Sequence, residues 1–195
     1  MSVVLENPNP ESPHRGFVDD LYRIGNSLES KNPHVVARSR RTLARLRRGL
    51  TDDRYAGDGY ELLFRHQIPE RHEPPCLLVA GLFALNSHTT TRASERWRLC
   101  AALADAGSAG AADARVRQLI GATQTGGLDY RLRQAVQLIG GARPRMALDY
   151  EHLLWDLIHL NGDEAQAAKV RVRWARDFKH RVYRQTSQKE AAATE

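Results

Sequence analysis

The side chains best placed to do chemistry are the arginines between residues 38 and 48, where six of the eleven residues are arginine. On an α-helix, at about 100° per residue, four of them form a ridge opposite an apolar stripe. The ridge comprises Arg38, Arg41, Arg45 and Arg48, and the stripe comprises Val35, Val36, Leu43, Leu46 and Leu50. No acidic residue lies within this helix, so the cations repel one another unless an anion lies across them. A phosphate backbone would supply that anion, whereas a solvated face or acids from another helix would also relieve the repulsion.

Further arginines extend the candidate phosphate-contacting set towards the end of the chain. Two lie on the last predicted helix and four precede it: Arg131, Arg133, Arg143, Arg145, Arg173 and Arg176. Arg143 and Arg145 flank Pro144 in a predicted loop. By contrast, Arg171 and Arg181 project among apolar positions, so we predict that they form buried or edge ion pairs.

The candidates for metal or catalytic chemistry are Asp149, His152, Asp156 and His159, whose spacings of three and four place them on one helical face. Such a row could supply ligands to zinc or to a nuclease metal, but the residue order differs from HExxH and no second ligand cluster appears. We interpret the histidines as hydrogen-bonded surface residues. The chain also contains no nucleophile elbow and no phosphate-binding P-loop. We therefore predict that the protein is not an enzyme and needs no metal or cofactor.

The aromatic residues could stack on nucleic acid bases in principle. The three tryptophans, Trp97, Trp155 and Trp174, all stand beside apolar residues at helical spacing. Core packing is the better interpretation of that pattern. A nucleic acid bound by this protein is therefore expected to be held mainly through its backbone, with little sequence preference.

The elements that position these residues are predicted to be helices, because apolar spacings of three and four recur and no strand-like alternation appears. The predicted fold is all-α, with two small helical bundles joined by a short flexible linker. Small uncharged residues at 106–112 place that linker. The predicted division is an N-terminal bundle at 1–106 that carries the arginine helix, a C-terminal bundle at 113–184, and a disordered tail at 185–195.

Composition favours an anionic partner, since the 195 residues carry a formal net charge of +6 and have a pI near 9.7. Of the 29 cationic residues 25 are arginine, whose planar fork suits phosphate, although an arginine-rich coding bias would give the same count. Cys76 and Cys100 lack disulfide or zinc spacing and are predicted to be buried thiols in a reducing compartment. Residues 1–6 show no signal-peptide pattern, and the longest apolar stretch, 76–85, is about half of a membrane span. We predict a cytoplasmic protein that does not associate with membranes.

Five segments, taken in order, resemble the CasB family, the small subunit of the type I-E CRISPR Cascade complex. They are residues 41–49 (RTLARLRRG), 77–85 (LLVAGLFAL), 128–138 (LDYRLRQAVQL), 148–157 (LDYEHLLWDL) and 174–178 (WARDF). The resemblance implies a non-catalytic antiviral defence protein that is present in two copies within the complex, beside the other Cascade subunits. It implies contact with the backbones of guide RNA and target DNA, and stabilisation of the R-loop and its displaced strand. The arginine-helix positions Arg41, Arg45 and Arg48, with Arg131 and Arg133, are the site residues that it implies.

Two other classes of function remain open at this point. A helical scaffold or adaptor could use the same basic faces to bind acidic protein partners. A stand-alone DNA-binding regulator should contain a helix-turn-helix with a recognition helix, and we find no such turn in the sequence.

Overall fold

The structure is a computed structural model that describes residues 12–90 and 92–192. Within these residues it contains nine α-helices and no strand, so the all-α prediction is confirmed. The helices are α1 (Pro13–Asn26), α2 (Pro33–Gly49), α3 (Gly57–Arg65), α4 (Glu73–Leu85), α5 (Leu99–Ala106), α6 (Ala109–Thr125), α7 (Leu128–Gly141), α8 (Tyr150–Leu160) and α9 (Glu164–Ala192). The chain divides into two compact units, one ending at Gly81 and the other beginning at Leu82.

The arginine helix α2 begins where the sequence supplies a helix start. Asn32 caps it, with the side-chain oxygen of Asn32 accepting a hydrogen bond from the backbone N–H of His34 at 2.9 Å. Pro33 occupies the first helical position, where a missing N–H removes no intrahelical hydrogen bond. The observed helix contains all six arginines of residues 38–48, as the periodicity predicts.

The core of the first unit is built from the apolar faces of α1, α2 and α3. Its buried side chains include Phe17, Leu21, Leu43, Leu46, Leu62 and Leu63. On α2 the buried residues are Ser39, Leu43 and Leu46, whereas Val35, predicted to face the core, is 38% exposed. The core-facing arc of α2 therefore begins at Ser39, and the first turn of the helix stays largely in solvent.

Helix α4 carries the most apolar segment of the chain, and its residues from Cys76 to Ala84 are mostly buried. Cys76 and Cys100 are both buried free thiols, as predicted. Burial, together with the charge of Glu73, raises the pKa of the Cys76 thiol to about 12. This cysteine is therefore neutral at physiological pH and does not act as a nucleophile.

In the second unit α5, α6 and α7 pack against one another, and α5, α6 and α8 pack against the long helix α9. Its largest fully buried side chains include Leu103, Leu119, Leu132, Ile139, Tyr150 and Trp174. Two hydrogen bonds tie the start of α8 to the end of α4. The Tyr150 hydroxyl donates to the backbone oxygen of Asn86 at 2.9 Å, and the Asn86 side chain donates to the backbone oxygen of Met146 at 3.1 Å. The buried polar groups of Tyr150 and Asn86 are thus paired, which avoids their desolvation cost.

Two boundaries differ from the sequence prediction. The structure divides the chain at Gly81, so the predicted junction at 106–112 lies inside the second unit, and a flexible linker there is not confirmed. Residues 109–112 of that segment instead begin α6, because alanine is a strong helix former. At the other end α9 continues to Ala192, so residues 185–192 of the predicted disordered tail are helical, and 193–195 lie outside the described residues.

The close approach of Gly81 to Leu50 provides a test of packing in the first unit. A Cβ added to Gly81 would overlap the Leu50 side chain, so Gly81→Ala should lower the free energy of unfolding by about 1–3 kcal/mol. A Cβ added to Gly121 in α6 would meet nothing within 4 Å, so the control Gly121→Ala should raise stability by about 0.5–1 kcal/mol. Urea unfolding followed by circular dichroism measures both. A Gly81→Ala protein as stable as the wild type would contradict this packing.

Candidate nucleic-acid interface

A cleft of about 780 Å³ opens in the first unit between α1, α2 and α3, and we call it the arginine cleft. Five arginines line it, against three carboxylates. The arginines are Arg23, Arg38, Arg41, Arg45 and Arg65, and the carboxylates are Asp20, Asp58 and Glu61. The cleft therefore retains positive charge, and its volume lies in the range of sites that hold a ligand.

Helix α2 contributes three arginines of the predicted ridge to this cleft. Arg38 and Arg41 are exposed and make no hydrogen bond or ion pair with any residue that the structure describes. Arg45 differs, since its Nη1 lies 3.1 Å from Oδ1 of Asp58 on α3. The sequence left open that acids from another helix neutralise the ridge. In this cleft such an acid, Asp58, binds Arg45, whereas Arg38 and Arg41 can still donate to a ligand.

Arg48 lies outside the lining of the arginine cleft. Its guanidinium carbon is 5.3 Å from the centroid of the Tyr55 ring, a cation–π contact that covers one face of the guanidinium. Arg48 remains exposed, and its edge is free to donate hydrogen bonds. The predicted ridge is therefore not one surface. Arg38, Arg41 and Arg45 line the arginine cleft, whereas Arg48 contacts Tyr55 outside it.

Asp20 is the buried centre of the wall opposite α2. Its carboxylate binds Arg23, accepts from Arg65 Nη1 at 3.2 Å and lies 2.8 Å from His66 Nε2. Burial alone raises the pKa of this carboxyl, but the hydrogen bond from His66 and the charge of Arg23 outweigh it, so the pKa lies below its usual 3.8. Asp20 is therefore ionised at neutral pH and holds Arg23 and Arg65 in place at the cleft.

Arg23 and Arg65 were missed by the sequence analysis, although one signal was available. Asp20 lies on the apolar face of α1, between Phe17 and Leu21, and it is 5% exposed. An ionised carboxylate at a core-facing position requires a cationic partner, because burying it alone is costly. The sequence could thus have predicted a partner for Asp20, but not which of 25 arginines provides it.

In the second unit, Arg131 lies in a groove of about 570 Å³ between α6 and α7, which Arg115 also lines. Arg131 Nη1 donates to the Gln118 side chain at 3.2 Å, and its guanidinium lies 5.7 Å from the Tyr130 ring centroid. Arg133, whose Nε is 3.4 Å from the Asp129 backbone oxygen, is half-buried and does not line this groove. The pair that the resemblance implies is therefore split between two surroundings.

The remaining candidate arginines differ in their surroundings. Arg143, Arg145 and Arg176 are exposed. Arg173 instead binds Asp156, a buried carboxylate that also accepts from the Trp174 indole N–H at 2.6 Å. Burial raises the pKa of Asp156, and Arg173 and Trp174 act against that shift. The structure thus places Arg173 in a pairing that supports the core around Trp174.

Ion pairing of the two arginines among apolar positions is confirmed. Arg171 binds Glu164 and lies near Thr123. Arg181 makes two hydrogen bonds to Asp105, from Nε at 2.8 Å and from Nη2 at 2.6 Å. Arg181 joins α9 to α5 through Asp105, whereas Arg171 pairs within α9 and reaches α6 through Thr123.

The row from Asp149 to His159 is divided among separate structural contacts. Asp149 caps α8, accepting from the His152 backbone N–H at 3.0 Å, while His152 Nδ1 is 2.5 Å from its other oxygen. Asp156 instead faces Arg173 and Trp174. Within 12–90 and 92–192, no group of three or more His, Cys, Asp or Glu side chains is arranged to hold a metal ion. In the same ranges no helix is long and apolar enough to span a membrane.

These features define a class: an all-α protein of two compact units, each of which exposes arginines without a carboxylate partner among residues 12–90 and 92–192. Residues 42–178 match the family model of the CRISPR-associated protein Cse2, and the chain belongs to this family. Membership of the family indicates a subunit of a CRISPR Cascade complex. The resemblance to CasB inferred from the five sequence segments is thereby confirmed.

Three solved structures are similar to this chain. CasB from M. ruber is 27% identical with a TM-score of 0.61, and 90% of this chain and 97% of that chain are covered. CasB from Thermobifida fusca is 26% identical with a TM-score of 0.60, and 86% of this chain and 98% of that chain are covered. CasB from Thermus thermophilus is 24% identical with a TM-score of 0.60, and 87% of this chain and 99% of that chain are covered. At this identity the similarity supports the fold alone. No curated protein matches the sequence.

The role of Asp20 in holding the wall of the arginine cleft can be tested by Asp20→Asn. The amide keeps the shape but loses the charge that pairs with Arg23, Arg65 and His66, so stability at pH 7 should fall by about 1–3 kcal/mol. Because the folded pKa of Asp20 is lowered, its contribution is present above the ordinary pKa of 3.8 and is lost as the pH falls further. The difference between variant and wild type should therefore shrink below pH 4 or so, as measured by denaturant unfolding across pH.

The matched control is Asp52→Asn. Asp52 pairs locally with the exposed Arg54 and lies outside the arginine cleft, so removing its charge should change stability less than Asp20→Asn does. If the Asp20→Asn difference stayed constant from pH 7 to pH 3, the stabilisation attributed to the ionised carboxylate would be wrong.

Proposed function

We propose that this protein is a non-catalytic Cascade subunit that binds the phosphate backbones of guide RNA and target DNA and stabilises the R-loop, including its displaced strand. The observation that carries the proposal is the arginine cleft, where Arg38 and Arg41 lie exposed and have no partner in the part of the chain that the structure describes. The partners proposed for the protein are the two nucleic acids, the other Cascade subunits and, as the family resemblance implies, a second copy of this chain.

The arginine cleft suits phosphate for a physical reason. Arg38 and Arg41 are three residues apart on α2, so they project on the same side and can address neighbouring phosphate oxygens. A guanidinium presents two parallel N–H donors, which match the oxygens of a phosphate. Arg23 and Arg65 on the opposite wall are held by Asp20, so little side-chain entropy is lost there when a strand binds.

Backbone contacts are sufficient for the proposed role in the R-loop. Exchanging DNA–DNA pairing for RNA–DNA pairing is nearly balanced in free energy, so contacts from protein to the strands can tip the exchange. Contacts to phosphate carry no base information and therefore serve every guide sequence. A subunit of this kind needs cations arranged along a surface, and it needs no catalytic group.

The scaffold hypothesis uses the same arginines for acidic protein partners and predicts a different result with naked nucleic acid. A phosphate-binding surface binds single strands with an affinity that falls steeply as salt rises, because condensed counterions are released. If the surface is instead shaped for one acidic protein, the salt dependence of its affinity for naked single strands should not scale with the number of phosphates contacted.

Replacing both unpaired arginines, Arg38→Ala with Arg41→Ala, tests the proposed function. If each contacts one phosphate of a single strand, the slope of log affinity against log salt should fall by about 0.7 per arginine, or roughly 1.4 in total. Stability should hold, since two like charges leave an exposed helix face. The measurement is the affinity of the assembled complex for matched target DNA at several salt concentrations.

Arg54→Ala is the matched control in the same unit. Arg54 is exposed but paired with Asp52, and it lies outside the arginine cleft, so its removal should leave the slope unchanged. An equal slope for the double variant and the wild type would mean that the arginine cleft faces solvent or protein in the complex. In that case the proposed nucleic-acid contact would be wrong.

A further inference from the structure

A second basic cleft lies in the second unit, between the segment that precedes α5 and the C-terminal half of α9. Its volume is about 540 Å³, again within the range of ligand sites. One wall supplies Trp97 and Arg98, and the other supplies His180, Arg181 and Arg184. We call this the tryptophan cleft.

Trp97 is held in place through its backbone. Its N–H donates to the Ala147 oxygen at 2.8 Å, and its carbonyl accepts from the Asp149 N–H at 2.9 Å. This pairing is an isolated bridge between Trp97 and Leu148, which joins the segment before α5 to the start of α8. Trp97 is half-buried rather than fully enclosed, and it lines the tryptophan cleft.

Arg181 completes a preformed aromatic–cation pair with Trp97. Its guanidinium carbon lies 4.6 Å from the Trp97 ring centroid, and two hydrogen bonds to Asp105 fix its orientation. Gln185 donates to the same carboxylate and supports it. The ring and the guanidinium are therefore ordered before any ligand arrives, which lowers the entropic cost of binding.

The rest of the tryptophan cleft is cationic and incompletely paired. Arg98 is 43% exposed and lies 3.5 Å from Asp177, a distance that marks a weak ion pair. Arg184 and His180 are exposed and make no hydrogen bond or ion pair with any residue in the described ranges. A ligand that suits this cleft therefore combines a negative group with a flat ring.

We propose that the tryptophan cleft holds one nucleotide of a single-stranded nucleic acid, with the phosphate between Arg98 and Arg184 and the base against Trp97. The choice of a single strand follows from the ring, because a base inside a duplex has both faces stacked and cannot reach an aromatic side chain in a cleft. An acidic peptide would satisfy the arginines but would supply no flat group to stack on the indole of Trp97. The inference rests on the proposed function for its class of ligand, but it concerns a separate site.

The experiment uses the full chain, a short oligothymidylate and intrinsic tryptophan fluorescence. Stacking of a base on Trp97 should quench its emission, and Trp97→Phe should lose that quench while keeping most of the affinity, since a phenyl ring still stacks. Trp97→Ala should weaken binding by about 5-fold to 150-fold, the loss expected for one stacked base. Arg184→Ala should lower the salt slope by about 0.7.

Arg117→Ala is the matched control, because Arg117 is 79% exposed, pairs with Asp113 on its own helix and lies outside the tryptophan cleft. Quenching that persists in Trp97→Phe, or an Arg184→Ala variant that behaves like Arg117→Ala, overturns the inference. So does equal quenching by a blunt duplex of the same length. Competition by polyglutamate that depends on Arg184, without any quench by oligothymidylate, would assign the cleft to an acidic protein.

The same titrations separate this inference from the proposed function. If the Arg38 and Arg41 double variant loses affinity while Arg184→Ala and Trp97→Phe bind and quench as the wild type does, only the tryptophan cleft is wrong. If none of these variants alters binding of the strand, both the tryptophan cleft and the proposed function are wrong.

Discussion

The rest of the structure depends on the pairing of arginine with carboxylates at the edges of the two cores. Asp20, Asp105 and Asp156 are all largely removed from solvent, and an ionised carboxylate in such a position is costly unless cations and hydrogen bonds surround it. Each of the three has an arginine and at least one further donor. A chain this rich in arginine can bury its apolar faces because these acids hold the cations that lie nearest to the cores.

This pairing sorts the arginines into two groups with different roles. Those held by a core-edge carboxylate, such as Arg65 and Arg181, have fixed side chains and shape the wall of a cleft. Those without a partner in the described residues, such as Arg38, Arg41 and Arg184, keep their full capacity to donate to a ligand. Each of the two clefts contains arginines held by a carboxylate, which make its walls rigid, and arginines without a partner in the described residues, which leave it positively charged.

Local features of the fold followed from the sequence because they depend on residues close together in the chain. The predictions of the helix that carries the arginine ridge and of the two buried thiols rest on periodicity and composition. Val35 shows where that reasoning failed, since it has the right spacing for the core stripe and is nevertheless 38% exposed. Periodicity identifies which residues share a face, but it does not show how far along the helix a neighbour covers that face.

The sequence by itself determined that this protein is all-helical, that arginine dominates its charge and that α2 carries a basic face, because composition and a 3.6-residue period are local properties. The tertiary structure alone decided which arginines are neutralised. The partners lie 45 residues apart for Asp20 and Arg65 and 76 apart for Asp105 and Arg181. It also decided that Trp97 lies at a cleft rather than in a core. Both outcomes depend on which helices become neighbours, and spacing along one helix carries no information about the helix that packs beside it.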